Sequence, residues 1–525
     1  MALVLVVVTG QAQTWLDYDQ ALSPHSWLRT TNASSLTTYH PTDSSQRWLA
    51  DARLGVSTAQ GLLAPSNASP DSWQADASVR SIARMSRRVV LRGAMDYSNT
   101  WGHQASGSVW MFPDDRPFDI IEHNDSTRGD IGLERYHLDG EVGVQAVGGL
   151  SLGARFGYTA ANSAKKKDPR HTNTLMQLDA SVGAAWQVGG WRFGANYLLN
   201  RTTEALQFST YGRTDRVYGY LIDQGAAFGR DEQSDGKGYV GSDHEKPWLD
   251  MRHGLALQAG YACGPWSAVI EWQWAHRHGH YGLQSPSMLD FNRHHGDAWH
   301  LRSWWQHATA TTHYRITAQW SHETIQDDER TYRITTTGGV TDIDYYDDRQ
   351  LGEQKVDDIT IVGEAQWGIG RCLATWQAQA SASHRRRSVT ASLYPYYRQQ
   401  LTRLTDLTLS ARRNWLASND HVWSLAIEAG WAGGGGTPAK DGTYAAQAQP
   451  SAPVADHTDL LMRQYEWLTA HRVHGGIMAR WSMPLLHQRL RLYAQADYRL
   501  SPAMDVHYLQ GSNRHIASLS LGCLF

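Results

Sequence analysis

Apolar and polar residues alternate along most of the chain after residue 48. In QRLRLYAQADYRL (488–500), Leu, Ala and Tyr side chains occupy every second position, and mostly charged or polar side chains stand between them. The same period of two recurs in MQLDASVGAAW (176–186) and CLATWQAQASAS (372–383). This period indicates β-strands whose two faces meet different surroundings.

The alternating runs predict strands that cross a membrane. They are roughly 10–14 residues long, enough for a tilted strand to span a bilayer, whereas soluble strands usually have about 5–6 residues. We therefore predict an all-β fold, a transmembrane antiparallel β-barrel of about 18 strands. Sixteen strands are the alternative, because the first two runs are the least regular. The predicted strands are 50–61, 74–85, 88–101, 132–146, 150–162, 174–187, 190–202, 250–263, 266–279, 297–309, 312–325, 356–368, 372–385, 400–413, 421–432, 467–482, 488–501 and 512–525.

Short and long connections alternate between these strands, as expected for short periplasmic turns and long extracellular loops. The predicted long loops are 103–131, 163–173, 203–249, 281–295, 326–355, 386–399, 433–465 and 502–511. Tryptophans flank the short turns and predict an aromatic girdle at one membrane interface. These are Trp186, Trp191, Trp266, Trp367, Trp423 and Trp481.

The N-terminus divides into two parts before the barrel, which we predict to cover residues 48–525. Residues 1–12 are apolar and end in small residues, which predicts the remnant of a signal peptide cleaved before Gln13. A buried first strand is the alternative. Residues 13–47 have no regular pattern, so they could lie in the lumen, extend into the periplasm or be disordered.

Composition supports a membrane barrel and excludes other classes. The 525 residues include 23 Trp and 24 Tyr but only 8 Phe, an excess of the two rings that favour membrane interfaces. Mean hydropathy is -0.50 and no run is apolar enough for a spanning helix. The net charge of -3 gives no reason to expect nucleic acid as a partner, and three distant cysteines form no disulfide or zinc pattern.

Two polar sets are predicted to line the lumen. One is His137, Asp139 and Glu141, and the other is Arg489, Arg491, Gln495, Asp497 and Arg499. Acid–base chemistry by the His/Asp pair is an alternative, but a wide aqueous lumen accounts for both sets. No catalytic motif accompanies them, and we predict that the protein is not an enzyme.

Histidines cluster between residues 275 and 300. A metal or haem site would use His276, His278, His280, His294, His295 and His300. The first three share the parity of Trp272 and Trp274, which predicts that they face outward near lipid headgroups. We therefore predict neither a metal site nor a cofactor.

The chain ends in the alternating run HIASLSLGCLF (515–525). Leu521, Cys523 and Phe525 share one face, and the terminal aromatic resembles the signal by which barrel-assembly machinery recognises its clients. We predict that this strand pairs with the first strand and closes the barrel.

The tract KKKDPRHTN (165–173) predicts a solvated basic loop, with binding to anionic lipopolysaccharide or to a partner's acidic surface as the alternative. Within it, Asp168, Pro169, Arg170 and Asn173 match a DPRP-like element followed by Asn, with His171 in place of the second Pro. Asp125 and Ser126 match a second motif only loosely. With the terminal Phe525, these residues resemble a family of uncharacterised outer-membrane β-barrels of Bacteroidota.

The resemblance implies an outer-membrane location, no known enzyme activity and association with TonB-dependent uptake systems, with iron or haem as candidate nutrients. We expect a barrel for solute passage, or an accessory of such an uptake system. The alternatives are a plugged receptor or assembly and secretion partner, an outer-membrane hydrolase, and a soluble Trp-rich protein that binds glycans. Expected partners are outer-membrane lipid and lipopolysaccharide, the barrel-assembly machinery, and a TonB-dependent receptor or surface lipoprotein.

Overall fold

In the part of the chain that the structure describes, eighteen strands pair antiparallel in chain order and form a closed barrel. Strand numbers follow the chain and include four strands of a second sheet, so the first barrel strand is β1 and the last, which pairs with it, is β22. The computed structural model describes residues 17–41, 47–65, 68–122, 125–212, 215–234, 247–285, 288–370, 373–445, 455–485 and 490–525. The barrel strands are β1 Trp48–Gln60, β2 Asp71–Arg84, β3 Val89–Ala105, β6 Gly129–Gln145, β7 Leu150–Lys165, β8 Arg170–Val188, β9 Trp191–Ser209, β12 Trp248–Cys263, β13 Trp266–Ser285, β14 Met288–Ala308, β15 Thr312–Thr337, β16 Val340–Trp367, β17 Trp376–Leu393, β18 Tyr396–Leu416, β19 Val422–Thr443, β20 Arg472–Leu485, β21 Leu490–Pro502 and β22 Asn513–Leu524. The predicted barrel of 18 strands is confirmed.

The outside of the barrel is apolar. Leu54, Leu409 and Leu521 expose 65%, 66% and 60% of their surface, and alternate positions on almost every strand carry similar side chains. An apolar band of this extent is unfavourable in water and suits lipid. The protein is therefore a β-barrel of the bacterial outer membrane. In the described part of the chain, no helix combines the length and the apolar character needed to cross a bilayer.

Several predicted loops are wrong, because the strands continue beyond the bilayer. Strand β15 runs to Thr337 and β16 begins at Val340, so most of the predicted loop 326–355 is a paired hairpin. The predicted loops 281–295 and 386–399 are likewise mostly strand. Above the membrane both faces of a strand meet water, so alternation disappears while backbone pairing continues.

Two predicted strand starts are also wrong. Residues 458–469 form helix α2, Thr458–Thr469, so β20 begins at Arg472 rather than at 467. Strand β17 begins at Trp376 rather than at 372, and Cys372 lies outside the described residues. The helix pattern was hidden because the apolar face of TDLLMRQYEWLT is short and its flanks are polar.

Parts of the predicted loops 103–131 and 203–249 form a second, four-stranded sheet, which we call the inner sheet. Its strands are β4 Gly107–Ser108, β5 Asp119–Glu122, β10 Tyr218–Asp223 and β11 Gly229–Ser234. An apolar core joins this sheet to inward side chains of the outer half of the barrel. It contains Val109, Trp110, Phe118, Ile120, Leu206, Phe208, Tyr218, Tyr220, Ile222, Trp248 and Tyr281.

The segment 17–41 lies inside the barrel near the short turns, and we call it the periplasmic ring. It contains helix α1, Tyr18–Leu22, and two 3-10 helices, Ser26–Arg29 and Ala33–Thr38. Its hydrogen bonds reach inward side chains of strands from β2 to β20. The segment therefore follows the inner wall around much of the barrel.

Candidate functional site: the lumen between two internal layers

Polar contacts anchor the start of the periplasmic ring. The carboxylate of Asp17 accepts a hydrogen bond from Arg480 at 3.2 Å and lies 3.6 Å from Arg412. Burial alone would raise the pKa of Asp17, but the two guanidinium groups outweigh it and hold that pKa below its usual value. The carboxylate also caps helix α1 by accepting from the backbone N–H groups of Asp19 and Gln20. This end of the ring is thus fixed to the wall as an ion.

The middle of the ring is bound through Asn32. Its Nδ2 donates to the backbone oxygens of Ala184 at 3.0 Å and Ala195 at 3.1 Å, and contacts Oε1 of Gln258 at 3.1 Å. The backbone approaches the wall so closely that a Cβ on Gly153 would lie 2.0 Å from the nitrogen of Ser34. Glycine is therefore required at this contact.

The ring also buries apolar side chains beside the barrel seam. Tyr18, Leu28, Leu36 and Tyr39 pack with side chains of β1, β2, β3 and β22 in one core. The pKa of Tyr39 is raised to about 12 by burial. The ring consequently narrows the periplasmic end of the lumen.

Buried ion pairs hold the inner sheet and its loops to the outer half of the barrel. Arg116 pairs with the fully buried Glu204. The guanidinium of Arg116 also lies 3.6 Å from the centre of the Trp248 ring. Lys165 donates to Glu122 of β5 at 2.7 Å. The prediction that the basic tract 165–173 is a solvated loop is therefore wrong for Lys165, whose partner lies in a segment distant in sequence.

The DPRHTN tract lies at the same docking surface. Asn173 is buried, and its Nδ2 donates to the backbone oxygen of Val109 at 2.9 Å and to Glu204 at 2.6 Å. His171 contacts Asn173 at 3.0 Å, and Asp168 accepts from the backbone N–H of Tyr211 at 3.1 Å. The motif therefore joins barrel strand β8 to the loops that enter the lumen.

The predicted set on β6 forms a network low in the lumen. His137 contacts Thr159 at 2.8 Å. Asp139 accepts from Arg155 at 2.7 Å, and Glu141 pairs with Arg92 at 2.6 Å. Arg92 also donates to the backbone oxygen of Leu28 in the periplasmic ring. These carboxylates are thus neutralised and connected to the ring.

The second predicted set lies on β21, near the seam. The structure describes Arg491, Gln495, Asp497 and Arg499, whereas Arg489 lies outside the described residues. Gln495 donates to Asp497 at 3.0 Å, and Arg499 pairs with Glu428 at 3.1 Å. Arg491 donates to the backbone oxygen of Asp420 at the periplasmic end. Only strands β22, β1, β2 and β3 separate this set from the set on β6.

Strands β1, β2, β3 and β6 carry a further group that was not predicted from the sequence, Arg53, Asp76, Asp96 and Arg135, which we call the lumen quartet. These side chains share the parity of inward residues on their strands and line a cavity of 380 Å³. In the described part of the chain, none of the four makes an ion pair. The sequence pattern that could have indicated the quartet is one charged residue at an inward position on each of four successive barrel strands.

The predicted girdle tryptophans lie beside the short turns. Trp186, Trp191, Trp266, Trp367 and Trp423 expose between 38% and 63% of their surface. Trp481 is half-buried, with its ring centre 6.0 Å from that of Trp423. Their role at the membrane interface stays a prediction.

The predicted C-terminal assembly residues lie along the seam. The backbone N–H of Phe525 donates to the oxygen of Ala50 at 2.9 Å. Leu521 and Cys523 stand opposite Leu54 and Ala52. Their role as an assembly signal stays a prediction.

The histidines of residues 275–300 are divided between the two faces of the wall. His276 is half-buried and contacts Asp297 at 3.1 Å, and the rings of His276 and His278 stack at 6.0 Å. His294 points inward and contacts Asp250 at 2.9 Å. Among the residues that the structure describes, no three His, Cys, Asp or Glu side chains gather as a metal site.

The chain belongs to a family of unknown function, DUF6850, whose profile matches residues 38–525. This agrees with the expected uncharacterised family, while its assignment to Bacteroidota stays a prediction. No curated protein matches the sequence.

Several solved outer-membrane proteins are similar in structure at very low identity. The ferric preacinetobactin receptor BauA from Acinetobacter baumannii is 8% identical, with 90% of this chain and 80% of that chain covered and a TM-score of 0.39. The outer-membrane transporter YddB from Escherichia coli is 8% identical, with 90% and 81% covered and a TM-score of 0.39. The copper transporter OprC is 9% identical, with 90% and 80% covered and a TM-score of 0.42.

Proposed function

We propose that this barrel conducts a polar solute across the outer membrane and that the periplasmic ring is its gate. The observation that carries the proposal is the open, charged wall around the lumen quartet, which lies between the ring and the outer loops. Side chains with unpaired charge are unfavourable in a permanently dry interior, so this part of the lumen holds water. A wet compartment with a closure at its periplasmic end suits gated passage.

The contacts in the middle of the ring, around Thr31 and Asn32, suit a segment that can move while the start of the ring stays anchored. Many of them are hydrogen bonds to inward polar side chains, such as those from Asn32 to Gln258 and from Thr31 to Glu271. Water can replace such bonds, and each is worth only about 0.5–1.5 kcal/mol. Opening the ring would leave behind a polar wall that water can wet.

Replacing Gly153 by Ala tests this gate directly. The new methyl group would collide with the backbone of Ala33 and Ser34 and push the ring from the wall. We expect Gly153→Ala to conduct in planar bilayers more often, or at higher conductance, than the natural protein. Gly140→Ala is the matched control, since a Cβ there meets nothing within 4 Å.

Equal conductance of the natural protein and both variants, with Gly153→Ala shown to be folded by heat-modifiable gel mobility, would contradict the gate. Uptake of dyes into liposomes gives a second readout that does not depend on ionic current. The proposal includes no catalytic step.

A plugged barrel that acts as a receptor or as a partner of an uptake system is the second candidate. The observation that favours it is the apolar core of the inner sheet, in which Ile120 and Tyr220 are fully buried. Such a core resembles a permanent structure more than a mobile lid. Co-purification of the chain with a TonB-dependent receptor or surface lipoprotein, without conductance in Gly153→Ala, would support this candidate instead.

A further inference from the structure

We propose that the lumen quartet binds a small zwitterion, a solute of the amino-acid or short-peptide class that carries both a carboxylate and an ammonium group. This inference deepens the proposed function and rests on it for the biological purpose of the site. The binding step itself depends only on the quartet and can be tested without transport.

The quartet occupies two neighbouring rows of inward positions. Arg53, Ser78 and Asp96 stand opposite one another across β1, β2 and β3. At about 4.8 Å per strand, Arg53 and Asp96 are about 10 Å apart along this row at their backbones. One row therefore offers a cation and an anion separated by a hydroxyl group.

The next row repeats the arrangement with the signs reversed. Asp76, Ser98 and Arg135 stand opposite one another across β2, β3 and β6. Opposite Asp76 on β1 is Gly55, where a Cβ would lie 2.7 Å from both carboxylate oxygens of Asp76. The Asp76 carboxylate thus lies over the backbone of Gly55.

The charges of the quartet are available to a ligand. Lower on the same wall, Asp139 and Glu141 are held by Arg155 and Arg92, whereas no described residue forms an ion pair with Arg53, Asp76, Asp96 or Arg135. The side chain of Arg53 is half-buried and that of Arg135 is exposed. A ligand carboxylate can therefore bind a guanidinium group of the quartet without first breaking an ion pair.

The chemistry of the quartet matches a zwitterion best. Guanidinium groups bind carboxylates through two parallel hydrogen bonds, and carboxylates accept from ammonium groups. A simple anion would be repelled by Asp76 and Asp96, and a simple cation by Arg53 and Arg135. With two groups of each sign, the site is neutral overall and favours a ligand that is neutral overall but charged at both ends.

Neutral sugars fit the site less well. Among the described residues, Tyr97 is the only aromatic one that lines the cavity, and its ring lies 4.8 Å from that of Tyr136, which is exposed on the lipid-facing side. The described lining therefore offers little of the aromatic stacking surface that favours sugars. Its 380 Å³ volume lies within the range of small-molecule pockets.

Calorimetry on the full chain in detergent tests the proposal with four probes. These are L-alanyl-L-alanine, its N-acetyl derivative, its C-terminal amide and maltose. We expect saturable binding of the dipeptide and at least tenfold weaker binding of the other three, since each lacks one or both charges. We expect Arg53→Gln and Asp96→Asn each to weaken dipeptide binding at least tenfold.

Arg385→Gln is the matched control variant. Arg385 is also an inward arginine, but it pairs with Asp358 on another part of the wall at 2.8 Å, so its loss should leave dipeptide affinity unchanged. Equal affinity for all four probes, no saturable binding, or unchanged binding in the quartet variants would overturn the zwitterion site.

The two proposals fail separately. If Gly153→Ala conducts but the dipeptide does not bind, the zwitterion site is wrong and the gate stands. If the dipeptide binds as expected but Gly153→Ala does not conduct, the gate is wrong and the quartet is a receptor site.

Discussion

Two regions of the inner wall use charged residues in opposite ways. On strands β8, β9 and β12–β14, which the inner sheet and its loops cover, Glu204 and Asp250 expose 0% and 1% of their surface and pair with arginines. On strands β3 and β6, Asp96 and Arg135 are exposed and form no ion pair with any residue that the structure describes. Both regions have the same alternation of inward and outward residues. The difference shows that the inner sheet turns inward charges such as Glu204 and Asp250 into buried ion pairs, whereas the same alternation leaves Asp96 and Arg135 accessible to solutes on the open wall.

The largest expected effect concerns the covered wall. Glu204→Gln removes the charge that compensates Arg116, and an uncompensated buried charge costs about 3–5 kcal/mol. We expect the free energy of local opening of the inner sheet to fall by about this amount. Hydrogen exchange at the backbone amides of Ile120 and Ile222 measures it, and unchanged exchange would show that the pair does not hold the sheet.

A smaller effect should appear as a pH dependence of the inner sheet. Burial raises the pKa of Asp119 to about 8, whereas the carboxyl in an opened sheet has its ordinary value of about 3.9. The closed sheet therefore keeps a proton that the opened sheet releases, so the stability of the sheet falls as pH rises from about 4 to about 8 and then levels off.

Comparison with Asp119→Asn at each pH isolates this effect at Ile222, because that amide is not adjacent to the substituted residue and its intrinsic pH dependence of exchange cancels between the two proteins. We expect the ratio of exchange rates at Ile222, natural protein over variant, to rise at least tenfold across the window, since one unit of pKa shift corresponds to about tenfold. A constant ratio would mean that Asp119 titrates normally.

The smallest effect is expected on the open wall. Asp96→Asn removes an exposed charge that has no ion pair, so the free energy of unfolding should change by less than about 0.5 kcal/mol. Urea denaturation in detergent, followed by tryptophan fluorescence, measures this quantity. A loss comparable with that in Glu204→Gln would erase the distinction between the two walls.

Alternation predicted the barrel because lipid on one side and a polar lumen on the other force a period of two. It failed where these surroundings change. Beyond the bilayer, the hairpin of β15 and β16 has water on both sides, so residues such as Thr335 and Asp342 pair through their backbones without any apolar periodicity. The inner sheet was missed because its strands have at most six residues and lie within long, mostly polar segments between barrel strands.

The lumen quartet shows why sites were harder to predict than strands. The sets on β6 and β21 could be recognised because their polar residues lie two apart on one strand. The quartet takes one residue from each of four strands. Its assembly depends on the pairing of β3 with β6, two strands that the predicted loop 103–131 separates in the sequence. The covered pairs, such as Lys165 with Glu122, depend likewise on how distant loops fold into the lumen.

The periplasmic ring has a consequence for how the barrel is built. The seam joins opposite ends of the chain, as the bond from Tyr493 to Asp51 across 442 residues shows, and the entropy cost of loop closure rises with the length of the loop. Asp17 binds Arg480 on β20, and Asp19 binds Arg80 on β2, so the docked ring connects strands on the two sides of the seam. The ring is therefore also an internal brace that holds the closure of the barrel from within.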